Sequence, residues 1–437
     1  MSFPRYERYK NSGVDWLGEV PEHWEVIPLK RLAEFINGDA FKPSEWADSG
    51  TPIIRIQNLN GGEEFNYYDG EVEPRYLVHD GDLLFGWSGN RGTSFGPFLW
   101  KRKEVCALNQ HIFRVVPKSL SKRALYWTLK AVTAHVEDQA HGIIGMVHIT
   151  KGDLGAIKVP IPPEQEHHEL ATFLDQETAI IDALIYEQLK LIELFKEKRH
   201  AVISHAVSPL NVSELIDSNV PREPTRNRLR HHVLRIEQGW SPLAADRDPE
   251  PGEWAVLKLS AVKRGEFDGT KVKALPPEAE IAHSLELRPG DFLITRANTP
   301  DLVGDSCYVY DPPQRLIFSD LIYRLSLNER TMSGEFLNLV LQSAIGRGQA
   351  KRDARGSSQS MVKLGHDHIL NWLVPAPSLT EQQEIVISVR AQLEELNCAA
   401  EVCNRSIALL EERRSTLISA VVSGKIDVRN YTPKEAA

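Results

Sequence analysis

Two stretches of the chain, residues 159–208 and 374–423, repeat each other at a constant offset without a gap. Identical residues recur near the start and near the end of the alignment. The shared positions are Val159/Val374, Pro160/Pro375, Pro162/Pro377, Glu166/Glu381, Glu169/Glu384, Leu194/Leu409, Glu197/Glu412, Arg199/Arg414, Ile203/Ile418, Ser204/Ser419 and Ser208/Ser423. A register kept over about fifty residues indicates an internal duplication.

Each copy predicts one long helix. It opens with prolines, runs about 45 residues without Pro or Gly, and ends at Pro209 or Gly424. Apolar residues alternate steps of four and three, the spacing of a coiled-coil seam. The seam positions are Leu174, Thr178, Ile181, Ile185, Gln188, Ile192, Phe195, Arg199, Val202 and Ala206 in the first helix, and Val389, Leu393, Leu396, Ala400, Cys403, Ile407, Leu410, Arg414, Leu417 and Val421 in the second. We expect the two helices to pack antiparallel.

The segments before the helices correspond as well. Strands are predicted at 25–29, 52–57, 82–86, 105–108 and 112–116, followed by a helix at 121–136. Strands at 229–236, 255–260, 290–294 and 321–325 and a helix at 335–345 follow the same order. The prediction is an α+β chain of two α/β domains separated by two long antiparallel helices forming a coiled coil, with an internal pseudo-two-fold repeat. The expected parts are 1–157 (N-terminal arm and first domain), 158–210 (first helical spacer), 211–372 (second domain) and 373–437 (second helical spacer and C-terminal tail).

Composition restricts the class of protein. A chain of 437 residues is too long to fold around a single hydrophobic core. No apolar run is long enough for a membrane span. The four cysteines form no CxxC pair, so we expect reduced thiols and a cytoplasmic protein. The net charge is −9, and close to half of this excess falls on the first helix. Both α/β domains are nearly neutral, which leaves room for local basic patches.

Catalytic motifs are scarce. The clusters at 167–169 and 366–368 contain histidines and carboxylates, which are possible metal ligands. We interpret the first as the opening turn of a helix and the second as a loop, in preference to a metal site. Asp311-Pro312-Pro313-Gln314 resembles the Asp-Pro-Pro-aromatic motif of adenine methyltransferases, although Gln314 replaces the ring that stacks on the base. An adenine-N6 DNA methyltransferase and a coiled-coil scaffold that does not bind DNA both remain as alternatives.

Candidate DNA-binding residues combine basic and amide side chains with flexible glycines, since Arg and Lys suit phosphates or guanine and amides suit adenine. The second domain has the stronger segment, predicted as a loop after a helix. The candidates are Trp87, Ser88, Asn90, Arg91, Lys101, Arg102 and Lys103 in the first domain, and Arg296, Asn298, Arg347, Lys351, Arg352, Arg355, Ser357, Ser358 and Gln359 in the second.

The chain resembles the specificity (S) subunit of type I restriction–modification systems over essentially its whole length. The resemblance is carried by YKNSGVDWLGEVPEHW at 9–24, FLDQETAIID at 173–182 and ISAVVSGKIDVR at 418–429. The second helix departs from the pattern, because Ser388-Val389-Arg390 replaces Phe173-Leu174-Asp175. The two helices should therefore offer similar but non-identical docking sites.

The resemblance implies a non-catalytic DNA sequence-specificity subunit. Its two α/β domains would be target-recognition domains, each reading one half of a bipartite double-stranded DNA target. Two methyltransferase subunits and the restriction motor–nuclease subunits would assemble on the chain. S-adenosylmethionine, ATP and Mg would then belong to those partners, and this chain would hold no cofactor and no metal.

Overall fold

The computed structural model describes residues 3–139, 146–208, 226–358, 361–429 and 431. They fall into two compact units. Unit 1 comprises Met1–Gln188 and Arg405–Ala437, and unit 2 comprises Leu189–Asn404. In the described part of the chain, no helix is both long and apolar enough to cross a membrane.

Unit 1 is built from short strands, several short helices and one longer helix, α3 (Lys122–Gln139). The chain then continues into the first long helix, α5 (Glu164–Ala206). Its strands are β1 (Tyr9–Asn11), β2 (Glu19–Pro21), β3 (Glu25–Pro28), β4 (Ala33–Asn37), β5 (Thr51–Ile54), β6 (Asn66–Tyr68), β7 (Leu77–Val78), β8 (Leu83–Gly86), β9 (Ser88–Asn90), β10 (Gly96–Leu99), β11 (Cys106–Leu108), β12 (Ile112–Pro117), β13 (Met146–His148) and β14 (Lys158–Ile161). Its helices are α1 (Leu29–Leu32), α2 (Ile56–Leu59), α3, α4 (Lys151–Ala156), the first part of α5 and the last part of α9 (Leu379–Val422).

Unit 2 repeats this plan and leads into the second long helix. Its strands are β15 (Arg226–Arg228), β16 (Val233–Gln238), β17 (Ala255–Leu257), β18 (Val262–Lys263), β19 (Glu266–Phe267), β20 (Val272–Ala274), β21 (Phe292–Thr295), β22 (Ala297–Asn298), β23 (Ser306–Tyr308), β24 (Leu316–Ile317), β25 (Ile322–Leu327), β26 (Arg355–Ser358), β27 (Met361–Lys363) and β28 (Leu373–Pro375). Its helices are the last part of α5, α6 (Gly334–Gln342), α7 (Ala344–Asp353), α8 (His366–Leu370) and the first part of α9.

The sheets of the two units have the same order. An antiparallel sheet runs β10-β8-β12-β4 in unit 1 and β23-β21-β25-β16 in unit 2. A second sheet contains a parallel pair, β5 with β11 and β17 with β24, flanked by β6 or β20. Small pairs correspond too: β9 with β13 matches β22 with β27, and β3 with β14 matches β15 with β28. The predicted α+β fold with an internal repeat is confirmed.

A glycine follows the first long strand of each unit, because two backbones nearly touch there. Gly38 comes after β4, and a Cβ on it would overlap the carbonyl of Asn109. Gly239 comes after β16, and a Cβ on it would overlap the carbonyls of Phe318 and Ser319. Only glycine allows this approach, which accounts for its presence at the equivalent place in both copies.

The predicted seam between the long helices is confirmed. Every seam position of α5 and α9 is buried or half-buried, whereas the residues between them are largely exposed. In unit 1 Arg414 donates to Asp182 at 2.6 Å, and in unit 2 Arg199 donates to Asn397 at 3.3 Å. The same number of residues separates these pairs along both helices, in opposite directions. The helices therefore pack antiparallel.

The N-terminal arm is fastened to the start of α5 by a buried carboxylate. Glu166 accepts hydrogen bonds from Trp24 Nε1 at 2.9 Å and Tyr6 Oη at 3.2 Å, and lies 2.7 Å from His23 Nε2. Burial, and then the charge of Glu166, raises the pKa of Tyr6. The C-terminal tail closes the same corner, where Gly424 accepts from Tyr9 Oη at 3.1 Å.

Several predicted elements end earlier or change type. The strand predicted at 52–57 ends at Ile54 and becomes the helical turn α2. The strand predicted from 229 starts at Val233, after a 3-10 turn at Leu229–His231. The helix predicted at 335–345 stops at Gln342, and the predicted loop that followed it is helix α7 up to Asp353. The loop predicted at 366–368 begins helix α8.

Candidate DNA interface

In each unit one residue links the long antiparallel sheet to a small exposed ribbon. In unit 1 this residue is Trp87, whose N–H donates to His111 O at 3.3 Å and whose carbonyl accepts from Ile149 N at 3.0 Å. In unit 2 it is Arg296, with matching bonds to Leu321 O at 2.9 Å and from Leu364 N at 2.7 Å. Trp87 and Arg296 therefore hold equivalent backbone positions.

Both linking side chains lie against an aromatic ring of the neighbouring strand. The Trp87 ring is stacked 5.7 Å from Phe113 at an interplanar angle of 22°. The Arg296 guanidinium lies 5.5 Å from the Tyr323 ring, and it donates to Asp320 O at 3.2 Å. Both side chains are half-exposed. A planar group held at the surface in this way can stack on, or hydrogen-bond to, a base or sugar.

The ribbon of unit 1 consists of β9 and β13. Ser88 is buried, and its hydroxyl lies 3.2 Å from Met146 Sδ. Asn90, Arg91 and His148 are exposed. Arg91 donates to the Glu137 carbonyl of α3, which fixes the guanidinium beside the ribbon. The groups available to a ligand are therefore an amide, a guanidinium and an imidazole.

The ribbon of unit 2 contains β22, β27 and β26. Asn298 is half-exposed, and its Oδ1 accepts from Thr299 N at 2.9 Å. Arg355 and Lys363 are exposed and face each other across the β26–β27 pair. Ser357 and Ser358 lie in β26, whereas the predicted Gln359 lies outside the described residues.

Sequence reasoning missed His148 and Lys363, which occupy equivalent positions on β13 and β27. A signal was present, because a Met-Val pair stands at the same distance before each long helix. The next residue of each pair is His148 or Lys363. Alternation along a strand puts it on the same face as the exposed Met146 or Met361.

Arg347 is tied into the fold rather than free. Its guanidinium donates to Val303 O at 3.0 Å and Asp301 O at 2.8 Å, and it pairs with Asp305 at 2.8 Å. Its side chain is 18% exposed. Burial raises the pKa of Asp305, whereas the hydrogen bond from the Arg264 N–H and the charge of Arg347 lower it. Arg347 thus anchors helix α7 against the loop before β23.

Lys351 and Arg352 stay at the surface of α7, each beside a carboxylate. Lys351 Nζ lies 3.0 Å from Asp301, and Arg352 Nε lies 2.8 Å from Asp353. The bond from Arg352, followed by the bond from Trp372, holds the pKa of Asp353 below its ordinary value. These exposed cations and Arg355 belong to consecutive elements of unit 2.

Lys101, Arg102 and Lys103 lie away from the unit 1 ribbon. They follow Leu99, which pairs with Leu83 at the start of β8, whereas Trp87 follows the end of β8. Arg102 lies 4.2 Å from the Phe65 ring and 3.6 Å from Glu104. Asp311–Gln314, weighed above as a methyltransferase motif, is a surface turn between β23 and β24.

Comparison with known proteins gives one family. The profile described as type I restriction modification DNA specificity domain matches residues 21–194. The chain is 21% identical to the EcoBI specificity subunit of Escherichia coli, covering 94% of this chain and 88% of that protein. It is 22% identical to the MjaVIII specificity subunit of Methanocaldococcus jannaschii, covering 98% of both.

A solved structure has the same fold. It is a chain from a study of complex assembly and conformational transition of the type I R-M system, with a TM-score of 0.59 and 14% identity, covering 92% of this chain and 98% of that one.

Proposed function

Because the chain resembles the type I restriction enzyme specificity subunits along nearly its whole length, we propose that it is the DNA-reading subunit of a type I restriction–modification complex. The observation that carries the proposal is the duplicated ribbon. One backbone framework occurs in both units, and its exposed side chains differ between them. Such a protein recognises a bipartite target, with one unit for each half-site.

The ribbons supply the chemistry for reading base edges. A two-stranded β-ribbon fits the major groove, where Asn pairs with adenine and Arg or Lys pairs with guanine. Unit 1 offers Asn90, Arg91 and His148, and unit 2 offers Arg296, Arg355 and Lys363. Lys351 and Arg352 would contact phosphates, which fix the register of the protein on the duplex. Different side chains on the same framework favour a different half-site for each unit.

The chain would act as a scaffold without catalysing the reaction. Methyltransferase subunits would dock where the arm, the tail and the ends of the long helices meet. Motor–nuclease subunits would join that core. S-adenosylmethionine, ATP and Mg are assigned to those partners, and the complex would work on the chromosome in the cytoplasm.

Methylation mapping tests the proposal. The chain is co-expressed with its methyltransferase partner in a host that lacks other modification systems, and methylated bases are mapped across the genome. The expected result is one motif with two specified segments and an unread spacer of fixed length. Methylation without such a motif would reject the bipartite reader. Binding of S-adenosylmethionine by the purified chain alone would reject the assignment of this cofactor to the partner subunits.

A further inference from the structure

Unit 1 contains a cavity of about 560 Å³ that its repeat does not match. The cavity lies between the Gly61–Gly62 turn, the end of β10 and helix α3. Its cationic lining residues are Lys101, Arg102 and Lys130, and its aromatic ones include Phe98, Tyr126 and Trp127. It is separate from the ribbon, because β10 reaches it at the end far from Trp87.

The equivalent space in unit 2 is closed. Ser121 and Ser333 start equivalent helices, since each carbonyl accepts from the N–H four residues later at 3.0 Å. Counting from these residues, Tyr126 and Lys130 correspond to Asn338 and Gln342. In unit 2 Asn338 donates to Gly265 O at 2.8 Å, and the Gln342 side chain occupies the position that a Cβ on Gly265 would take.

The turn that contains Gly62 in unit 1 and Gly265 in unit 2 makes different contacts in the two units. Asn58 N donates to Arg55 O at 2.9 Å, and Ala261 N donates to Lys258 O at 3.0 Å, so Gly62 corresponds to Gly265. Gly265 forms a β-bridge with Cys307, the counterpart of Phe98. In unit 1 Gly62 and Phe98 instead line the open cavity.

Three cations and two acids line the cavity of unit 1. Lys130 lies 5.6 Å from the Phe98 ring and 5.5 Å from the Tyr126 ring, so aromatic faces hold its ammonium at the cavity wall. Asp175 also lines the cavity, but it is already paired with Arg123 and accepts from Trp127 Nε1 at 2.8 Å. Glu63 is the other lining acid, on the exposed turn. Burial, and then the charge of Arg414, lowers the pKa of Lys130, which an anion would relieve.

We propose that this cavity binds a nucleoside phosphate, with Lys101, Arg102 and Lys130 around the phosphate and the aromatic wall beside the base. The cations require an anion, and the volume admits a whole nucleotide where an inorganic phosphate would leave most of it empty. Aromatic rings that stack on bases, beside cations that meet phosphates, are the combination that binds single-stranded nucleic acids. The nucleotide could be free or could belong to a nucleic-acid strand. This site extends beyond the proposed reading of a half-site.

The test is calorimetric titration of the purified full-length chain at low salt with AMP, ATP, inorganic phosphate and a single-stranded oligonucleotide. Lys130→Gln installs the residue that unit 2 carries at this position, and it should weaken nucleotide binding at least tenfold. Lys122→Gln is the matched control, because Lys122 is exposed on the same helix as Lys130 and does not line the cavity. Its effect should stay below twofold.

The probes separate the two sources of the ligand. Equal affinity for AMP and the oligonucleotide identifies a free nucleotide, and binding of the oligonucleotide alone, lost in Lys130→Gln, identifies a strand. Arg102→Gln repeats the test if Lys130→Gln melts at a lower temperature than the wild type. The proposal is overturned if no nucleotide or oligonucleotide binds, if both variants bind like the wild type, or if inorganic phosphate binds as tightly as the nucleotides.

Discussion

The position of Trp87 in unit 1 and Arg296 in unit 2 shows how one backbone framework presents two surfaces. Identical hydrogen bonds fix both backbones, and an aromatic ring of the next strand supports both side chains. An indole offers a stacking face with one donor, whereas a guanidinium offers several donors in a plane. The chemistry of this surface can therefore change without a change in the strands beneath.

Glu166 should be a major stabilising residue of unit 1. Replacing it by alanine leaves Trp24 Nε1 and Tyr6 Oη buried without their acceptor. Each buried unpaired group costs about 1–3 kcal/mol, so we expect Glu166→Ala to lower the free energy of unfolding by about 2–4 kcal/mol. Urea denaturation followed by tryptophan fluorescence measures the loss.

Glu381 is the matched control for this change, because it is the repeat counterpart of Glu166. It is half-exposed and accepts from Ser378 N at 2.6 Å, as part of a helix cap. Glu381→Ala should cost about 1 kcal/mol or less. Equal losses for the two variants would show that the buried corner contributes no more than a cap.

Arg347→Ala should destabilise unit 2 in a pH-dependent way. Burial raises the pKa of Asp305 in the folded state, so the fold favours the neutral carboxyl. The stability that comes from the neutral carboxyl is present at low pH and is lost as the pH rises through the folded pKa. Without Arg347 the ionised carboxylate is buried without its ion-pair partner. We expect a loss of about 2–4 kcal/mol at pH 7 and a smaller loss near pH 4, measured by denaturation at both pH values.

Arg352→Ala is the comparison for Arg347, because Arg352 is exposed on the same helix. It should change stability by about 1 kcal/mol or less and weaken DNA binding by the assembled complex. Similar stability losses for the two variants, or a loss for Arg347→Ala that does not vary with pH, would contradict the anchoring role of Arg347.

At the level of elements, the sequence predicts best where a pattern is long. The seam of α5 and α9 spans many turns, and the strands 82–86 and 112–116 are apolar runs bounded by turns. Helix α7 was missed because two glycines and a basic run weaken its intrinsic propensity. Tertiary contacts hold it instead, through Arg347 and through Gln349, which bonds the backbone of Leu373 in both directions at 3.0 and 2.7 Å.

The candidate site could be predicted from the sequence only in part. The local composition pointed to the Trp87 segment and to the basic residues after α6 as candidates. It could not show that Arg347 points into the fold, or that Lys101 lies at the far end of β8, because both depend on chain folding beyond the local sequence.

The register of the long helices gives a test at this scale. Asp182 faces Arg414, so position 183 lies opposite 413. Four residues inserted after Ala183 shift the later part of α5 against α9 and should lower the melting temperature. A second insertion after Glu412 restores the pairing and should recover most of the stability. In an active complex the unread spacer should lengthen by about one or two base pairs, since four residues add about 6 Å.

Both readouts can contradict this hypothesis. If the paired insertion melts no higher than the single one, the register drawn from Asp182 and Arg414 is wrong. If the paired insertion methylates with an unchanged spacer, the helices do not determine the distance between half-sites. An insertion after Ala183 alone is the control for added length without restored pairing.

For the molecule as a whole, the structure indicates where one compact unit can be exchanged. Leu29 N donates to Ile157 O at 2.9 Å, beside the β3–β14 pair, and Leu229 N donates to Trp372 O at 2.8 Å, beside β15–β28. Each unit thus enters and leaves through one pair of adjacent strands. Replacing residues 29–157 with those of a relative such as the EcoBI specificity subunit should change one half of the methylated motif and leave the other half intact.

The reciprocal exchange of residues 229–372 is the control and should change the opposite half only. Genome-wide methylation mapping reads both chimeras. If either exchange alters both halves, the units do not read DNA independently. A cut inside a strand pair, for example at residue 25, should give less stable chimeras because foreign and native strands must then pair.

The antiparallel seam also affects how the chain is made. Arg414 is 232 residues beyond Asp182, its partner. At about 5–20 residues per second, a ribosome needs between about 10 and 50 s to deliver it. During that time the apolar stripe of α5 has left the ribosome without its intended cover. Newly made chains on neighbouring ribosomes carry the same uncovered stripe, so aggregation should depend on the rate of translation more than on the stability of the finished fold.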